Sequence, residues 1–511
     1  MSQTTSIPTR TQFARNVLLN WIAMFAGMVV PFFLSPLTVH RLGNVLYGVW
    51  VLVVSSVAYF QLLDLGLRTA ITTFVSKANA LGLHDESQRI VSTAVWIRIG
   101  ISVVIMLLAG LIAVIFPHIF QVPATIRNDV RLAILLTAAS LAFTLGAGVP
   151  SAVLAALHRY DLLSTVNLAR TFVRAGGFVV LLERGYGIVA LAAWELAVAA
   201  LTCCTMATVC AWLFPDVRHV LRLPEQEMVR KLWSYSSYAF LVTIAGAIVN
   251  YMDNGVVGYF LTPAAVTFYA IAGNLILYSR ELIGAMSNTF VPVASGFRAG
   301  GRTDQLRRLL FRGTQASLVV SLPISIVLFM RGGTFIGLWM GQEYAGISGG
   351  VLRILLLNQI LTVANLTSSG VVYGMEKHRP LAMWALVEAF CNLTLSVLLV
   401  RRMGLAGVAW GTSIAGVICN LLFWPGYVSK LLEVSVTEYL AKAWGYTALC
   451  AIPFLVACWY QERYWPATSL PEFFLQTASI LPIFMIAAIL MFRKELVPYM
   501  PARLQAAFGG D

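Results

Sequence analysis

In the stretch YFQLLDLGLRTAITTFVS, residues 59–76, Asp64 and Arg68 stand four apart inside an apolar run long enough to cross a bilayer. Comparable runs hold Arg98, Arg170, Arg174, Glu195, Arg280, Glu281, Arg353 and Glu388, with Asp253 near the outer end of another. An Arg or Asp at mid-membrane costs roughly 2.5–3.5 kcal/mol on insertion scales, so these groups must face protein, one another or water. With Asp253 set aside, arginines outnumber acids six to four, and pairing cannot neutralise them all. A surplus guanidinium suits a phosphate-bearing anion because its planar fork bonds two oxygens at once. The chemistry on offer is recognition of an anion. The acids Asp64, Glu195, Asp253, Glu281 and Glu388 are candidates for ion pairing or for carrying a coupling proton or sodium ion. The competing reading is that the pairs only fix helix packing.

Other chemistry is missing from the pattern. The six histidines fall in turns or at span ends, and none stands with Ser, Cys or carboxylate in a recognisable catalytic order. The seven cysteines lie within apolar runs at no metal-ligand spacing and read as small packing residues. No cofactor, metal or disulfide is expected.

The elements that must hold these charges are membrane helices. Of 511 residues 59% are hydrophobic and 11% charged, a composition outside the range of soluble domains. The runs are helix-length, which excludes a barrel. The sequence predicts an all-α polytopic membrane protein of about fourteen spans, near 17–39, 46–75, 91–116, 131–157, 162–182, 188–214, 233–257, 264–291, 309–330, 350–373, 381–400, 405–428, 438–460 and 474–492. The polar start MSQTTSIPTRTQFARN carries no cleavage pattern and reads as a retained cytoplasmic end. Lys and Arg crowd the termini and the even-numbered turns, which places both ends in the cytoplasm. That bias accounts for most of the +13 net charge without nucleic acid.

On a continuous helix Gln61, Asp64, Arg68 and Thr72 share one face of the second span, and Asp64 and Arg68 can touch. In the eighth span Asn274, Tyr278, Glu281 and Asn288 make a similar stripe beside Arg280. Arg68 and Arg280 rank first as anion ligands. Arg98 and Arg353 are near span starts, where a long side chain can snorkel to the interface, and Arg170 and Arg174 can do so in part. Most aromatics near span ends read as interfacial anchors.

Sliding the chain on itself by 219 residues matches Ala80, Gly82, Asp85 and Arg89 with Ala299, Gly301, Asp304 and Arg308. The repeat predicts two parallel six-helix lobes, 1–213 and 232–430, joined by a cytoplasmic linker at 214–231, with two additional helices and a tail at 431–511. Stripes on the second helix of each copy would wet a central cleft.

The segment RLGNVLYGVWVLVVSSVAYFQLLDLGLRTA, residues 41–70, with its G-x-x-x-Y-G-x-W turn and L-D-x-G-L run, resembles the polysaccharide flippases of the multidrug/oligosaccharidyl-lipid/polysaccharide exporter superfamily. The resemblance implies V-shaped lobes that alternate between two openings. It implies as cargo an undecaprenyl-pyrophosphate-linked oligosaccharide, with membrane lipid around the tail and a glycan polymerase and glycosyltransferases in the same pathway. It supplies no invariant binding residue, and the candidate ligands come from charge placement alone. A multidrug exporter of this superfamily should have an acid-rich cavity, which the arginine excess opposes. A flippase for a lipid-linked peptidoglycan precursor shares the pyrophosphate and stays open. A polytopic glycan polymerase or ligase should carry a large outer loop, and every outer turn here is short.

Overall fold

A computed structural model describes residues 10–64, 66–214, 222–230, 232, 246, 251–377 and 379–491. These residues form helices and no strands, and 11 of the helices are long and apolar enough to cross a membrane. Most of the expected seventh span, part of the expected linker and the C-terminal tail lie outside the described residues.

Helix α1, Arg10–Ala58, runs through the first expected span and into the second, with only Gly43 non-helical (φ 73°, ψ 167°). A one-residue bend thus replaces the expected loop. The second span is then interrupted. A 3-10 helix, Tyr59–Asp64, is followed by Gly66 at φ 73° and ψ 15°, and α2 starts afresh at Leu67 and ends at Ala80. The left-handed region costs an L-residue roughly 1–2 kcal/mol, so the glycine of L-D-x-G-L permits the break. The expected continuous polar face from Gln61 to Thr72 does not form, because the two halves of the span have different helical phases.

Helices α3 (His84–Ile119), α4 (Arg127–Ala156), α5 (Tyr160–Glu183) and α6 (Ile188–Leu213) occupy the next four expected spans. Helix α4 packs on α3 and α6, and α1 packs on α5. Ala133, Ala138, Ala147 and Ala152 of α4 and Ala192 and Ala199 of α6 are buried. Lipid is as apolar as leucine, so helices in a bilayer gain most from close backbone approach, which small side chains allow.

The described chain forms two compact units that part between Thr267 and Phe268, later than the expected linker. Contacts at the motif residues explain why the first unit extends so far. Thr267 Oγ1 donates to the Asn44 carbonyl at 2.7 Å, and Asn254 Nδ2 donates to Ser55 Oγ at 3.1 Å. At Gly48 of the G-x-x-x-Y-G-x-W turn, a methyl would overlap the Pro263 carbonyl.

The second unit comprises most of α7 (Pro263–Asn288), then α8 (Phe290–Ala299), α9 (Thr303–Met340), α10 (Gln342–Gly374), α11 (Arg379–Met403) and α12 (Leu405–Ile418). A π-helical segment, Cys419–Phe423, separates α12 from α13 (Trp424–Leu432). Helices α14 (Tyr446–Tyr464) and α15 (Leu470–Met491) pack on each other and on α9.

One turn recurs bond for bond in the two units. Gly82 and Gly301 have φ 69° and 66°, and the flanking helices end at Ala80 and Ala299 and restart at His84 and Thr303. The Leu83 N–H donates to the Ala78 carbonyl as the Arg302 N–H donates to that of Phe297, both at 2.9 Å. Trp96 Nε1 donates to the Arg222 carbonyl at 3.1 Å, and Gln315 Nε2, 219 residues further on, donates to that of Lys442 at 3.0 Å.

Candidate functional site

The break in the second span sets the geometry of the first unit's charges. Asp64, the last residue of the 3-10 helix, accepts a hydrogen bond from Nη2 of Arg98 on α3. The expected Asp64–Arg68 contact is therefore corrected to Asp64–Arg98. Arg68 falls in the first turn of α2, beyond the left-handed Gly66, and is exposed. Arg98 does not snorkel: its side chain is 3% exposed against 30% for that of Asp64. Nε and Nη1 of Arg98 are buried with no hydrogen-bond partner. Gln61 is exposed on the 3-10 helix.

A second cluster joins α5 to α6. Arg174 Nε donates to Glu195 Oε1, and its guanidinium carbon lies 5.0 Å from the centre of the Phe178 ring. Arg170, one turn earlier and half-buried, interacts electrostatically with both Arg174 and Glu195. A helix places it there because residues four apart share a face. Two arginines thus share one carboxylate. Asp253 is buried within electrostatic reach of Tyr59.

In the second unit Arg280, on α7, donates from Nε and Nη2 to Gln359 Oε1 of α10 at 3.4 and 3.3 Å. Gln359 Nε2 in turn donates to Ser279 Oγ at 3.3 Å. Glu388 of α11 interacts electrostatically with Arg280. Asn274 and Tyr278 are half-buried and Glu281 is exposed on the same helix, while the side chain of Asn288 lies outside the described residues. Arg353 is exposed on α10, eleven residues past that helix's start, so it is not at a span start as expected.

Sequence reasoning missed the neutral partners. Asn420, inside the π-helical segment, donates from Nδ2 to Asn358 Oδ1 at 3.1 Å and to the Gly416 carbonyl at 2.9 Å. Asn365 Nδ2 donates to Asn420 Oδ1 at 2.9 Å. Gln359 bonds to Arg280 and Ser279, while the next residue back, Asn358, belongs to the separate amide network with Asn420 and Asn365. Amides within apolar runs were the available signal.

The expected span 309–330 stops one residue short of Arg331, which would leave that arginine in an outer turn. It lies within α9, fully buried, and donates to Gln461 Oε1 at 2.9 Å and to Glu462 Oε2 at 3.3 Å. Its guanidinium carbon is 4.7 Å from the centre of the Phe473 ring, so it ties α14 and α15 to α9.

Among the described residues, the side chains of Arg68, Arg170 and Arg353 make no ion pair or hydrogen bond, and among the intramembrane acids the same is true of Glu281. The cationic surplus counted in the sequence therefore survives pairing. A cavity of about 650 Å³ at the α2–α3 turn, lined by His84, Asp85, Glu86, Arg89, Glu225 and Glu227, is a separate feature. It stands at the far end of the fourteen-residue α2 from Asp64, about 20 Å away.

The profile of the family described as polysaccharide biosynthesis protein matches residues 47–349, more than half of the chain. The chain belongs to that family. It is 23% identical to the probable low-salt glycan biosynthesis flippase Agl15 of Haloferax volcanii, over 55% of this chain and 57% of that one. It thus spans little more than half the length of that relative. It is 21% identical to the uncharacterized membrane protein EpsK of Bacillus subtilis, over 87% of this chain and 90% of that one. In fold it is similar to the lipid II flippase MurJ in an inward closed conformation, with a TM-score of 0.70, 14% identity, and coverage of 94% of this chain and 100% of that one. Membership of the polysaccharide biosynthesis protein family agrees with the resemblance carried by residues 41–70.

Proposed function

We propose that this member of the polysaccharide biosynthesis protein family flips an undecaprenyl-pyrophosphate-linked oligosaccharide across the bacterial inner membrane. Alternating access would supply O-antigen, exopolysaccharide or capsule synthesis. The observation that carries the proposal is the surplus of arginines within apolar spans: among the described residues Arg68 and Arg353 make no ion pair, Arg170 and Arg174 share the single carboxylate of Glu195, and Arg280 donates to the neutral Gln359 amide with Glu388 in electrostatic reach. Fixed guanidinium groups replace water around a pyrophosphate and lower the barrier to carrying it through hydrocarbon. The relative named as a glycan biosynthesis flippase points to the same class of cargo.

No bond need be broken in this reading, and the protein acts as a transporter with both termini in the cytoplasm. The 1–213 and 232–430 lobes of the sequence repeat are its moving parts. Arg68, Arg280, Arg174, Arg170, Arg98 and Arg353, with Gln61, Asn274, Tyr278 and Asn288, are the proposed cargo ligands. Coupling to a proton or sodium ion would fall to the acids, and Glu281, exposed and unpaired among the described residues, is the foremost candidate.

Reconstitution in proteoliposomes with fluorescent lipid-linked glycans tests the proposal. Protein-dependent flipping of the lipid-linked oligosaccharide is the expected result. Flipping of the peptidoglycan precursor alone would replace the cargo, and appearance of a new glycosidic product would indicate a polymerase or ligase.

A further inference from the structure

The Asp64–Arg98 pair is unbalanced in a way that a packing contact does not explain. Arg98 is buried on α3 and uses one nitrogen, Nη2, on Asp64, leaving Nε and Nη1 without partners. Buried donors left unmet are costly, and a guanidinium that binds one carboxylate oxygen through one nitrogen forgoes its two-pronged geometry. Asp64 is the more accessible partner, with 30% of its side chain exposed. It also sits on the less constrained element, at the end of a six-residue 3-10 segment before a left-handed glycine. On the neighbouring α4 a methyl added at Gly148 would stand 3.5 Å from Nη2, so the glycine leaves room beside the guanidinium. Beyond the break α2 begins without a side-chain cap, and a helix N-terminus favours negative charge. Interrupted spans whose half-helix starts meet an anionic group are a recurrent device in transporters.

We propose that Asp64 is an internal counter-anion occupying, on Arg98, the seat that a phosphate of the cargo takes during transport. The inference rests on the lipid-pyrophosphate reading above and adds its gate. A phosphate oxygen replaces the Asp64 carboxylate on Nη2, and further oxygens meet Nη1 and Nε, which the carboxylate leaves unsatisfied. Charge at Arg98 stays balanced through the exchange. The released Asp64 swings out with the 3-10 segment, so occupancy of the seat is coupled to the conformation of the second span.

The test is binding of undecaprenyl pyrophosphate, of inorganic pyrophosphate and of phosphatidylglycerol to the full chain in phosphatidylcholine nanodiscs. Asp64→Asn, which removes the competing charge, should tighten binding of both pyrophosphates on the order of tenfold. Arg98→Gln should abolish that gain in the double variant. In the wild-type chain, saturating pyrophosphate should increase carbodiimide labelling of Asp64, a readout that needs no variant to fold. Unchanged or weaker binding by Asp64→Asn, or unchanged labelling of Asp64, overturns the seat while leaving the cargo reading intact. An equal gain for phosphatidylglycerol overturns it in favour of a lipid headgroup site. Absence of pyrophosphate binding in wild type and variants alike overturns both.

Discussion

Arg98 reaches back from α3 to Asp64 and holds the end of a 3-10 helix two residues before the left-handed Gly66. The ion pair therefore fixes where the second span breaks, and the break carries Arg68 away from Asp64. The two members differ in burial, which makes the consequences of losing each one unequal. Removing Asp64 strands a buried guanidinium, whereas removing Arg98 leaves a carboxylate that the protein only partly covers. Breaking a buried pair typically costs about 3–5 kcal/mol. Asp64→Leu should approach that loss and Arg98→Leu should cost less. The double Leu variant should recover part of the Asp64→Leu loss. Thermal unfolding of the four proteins in one detergent checks the order, and equal losses in both single variants would contradict it.

Gly66, Gly82 and Gly301 lie at positive φ, and substitution by Ala at each should cost roughly 1–2 kcal/mol through backbone strain. At Gly82 and Gly301 an added methyl meets nothing within 4 Å, so the loss there is conformational and not steric. Gly176, within α5 and equally open, provides the control and should be neutral or slightly stabilised as Ala. Unfolding midpoints measure all four, and a loss at Gly176 equal to the others would contradict the assignment.

Arg331 is predicted to clamp the last two helices to α9. Arg331→Met leaves Glu462 without its ionic partner and should raise hydrogen exchange across 446–491 more than across the rest of the second unit. Arg353→Ala, at an exposed position without partners among the described residues, should leave exchange unchanged.

Gln359 positions Arg280 through its amide oxygen, so Gln359→Leu should lower transport by about tenfold, the effect of losing a hydrogen bond worth roughly 1.4 kcal/mol. Gln359→Glu keeps an acceptor and should retain more activity than Gln359→Leu. Initial flipping rates at equal inserted protein measure the contrast, and equal losses in the two variants would show that the amide serves packing alone.

Helix placement was legible because apolar run length is dictated by bilayer thickness, and the turn at Ala80–His84 was legible because its glycine recurs at 301 with the same left-handed geometry. The partner of Asp64 was not legible. Helical spacing offered Arg68, and only tertiary placement brings Arg98 within reach, although Gly66 in the L-D-x-G-L run was a visible helix-breaking signal. Gln359, Asn358 and Asn420 went unread because amides carry no charge penalty to draw attention within apolar runs. The burial of Arg331 was not legible because the apolar run breaks at Arg331, Gly332 and Gly333, whereas α9 continues through them to Met340. The surplus of arginine over acid was legible because it depends on composition within the spans and not on which partner each charge finds.

In the proposed function, intramembrane guanidinium groups carry an anionic lipid-linked glycan. The most direct measurement is flipping of a fluorescent undecaprenyl-pyrophosphate-linked oligosaccharide in proteoliposomes by wild type, Arg68→Ala and Arg280→Ala, normalised to inserted protein. Flipping by the wild type and its loss in each variant, with membrane insertion intact, is the expected result. Wild-type rates in both variants would show that these charges are structural and would contradict it.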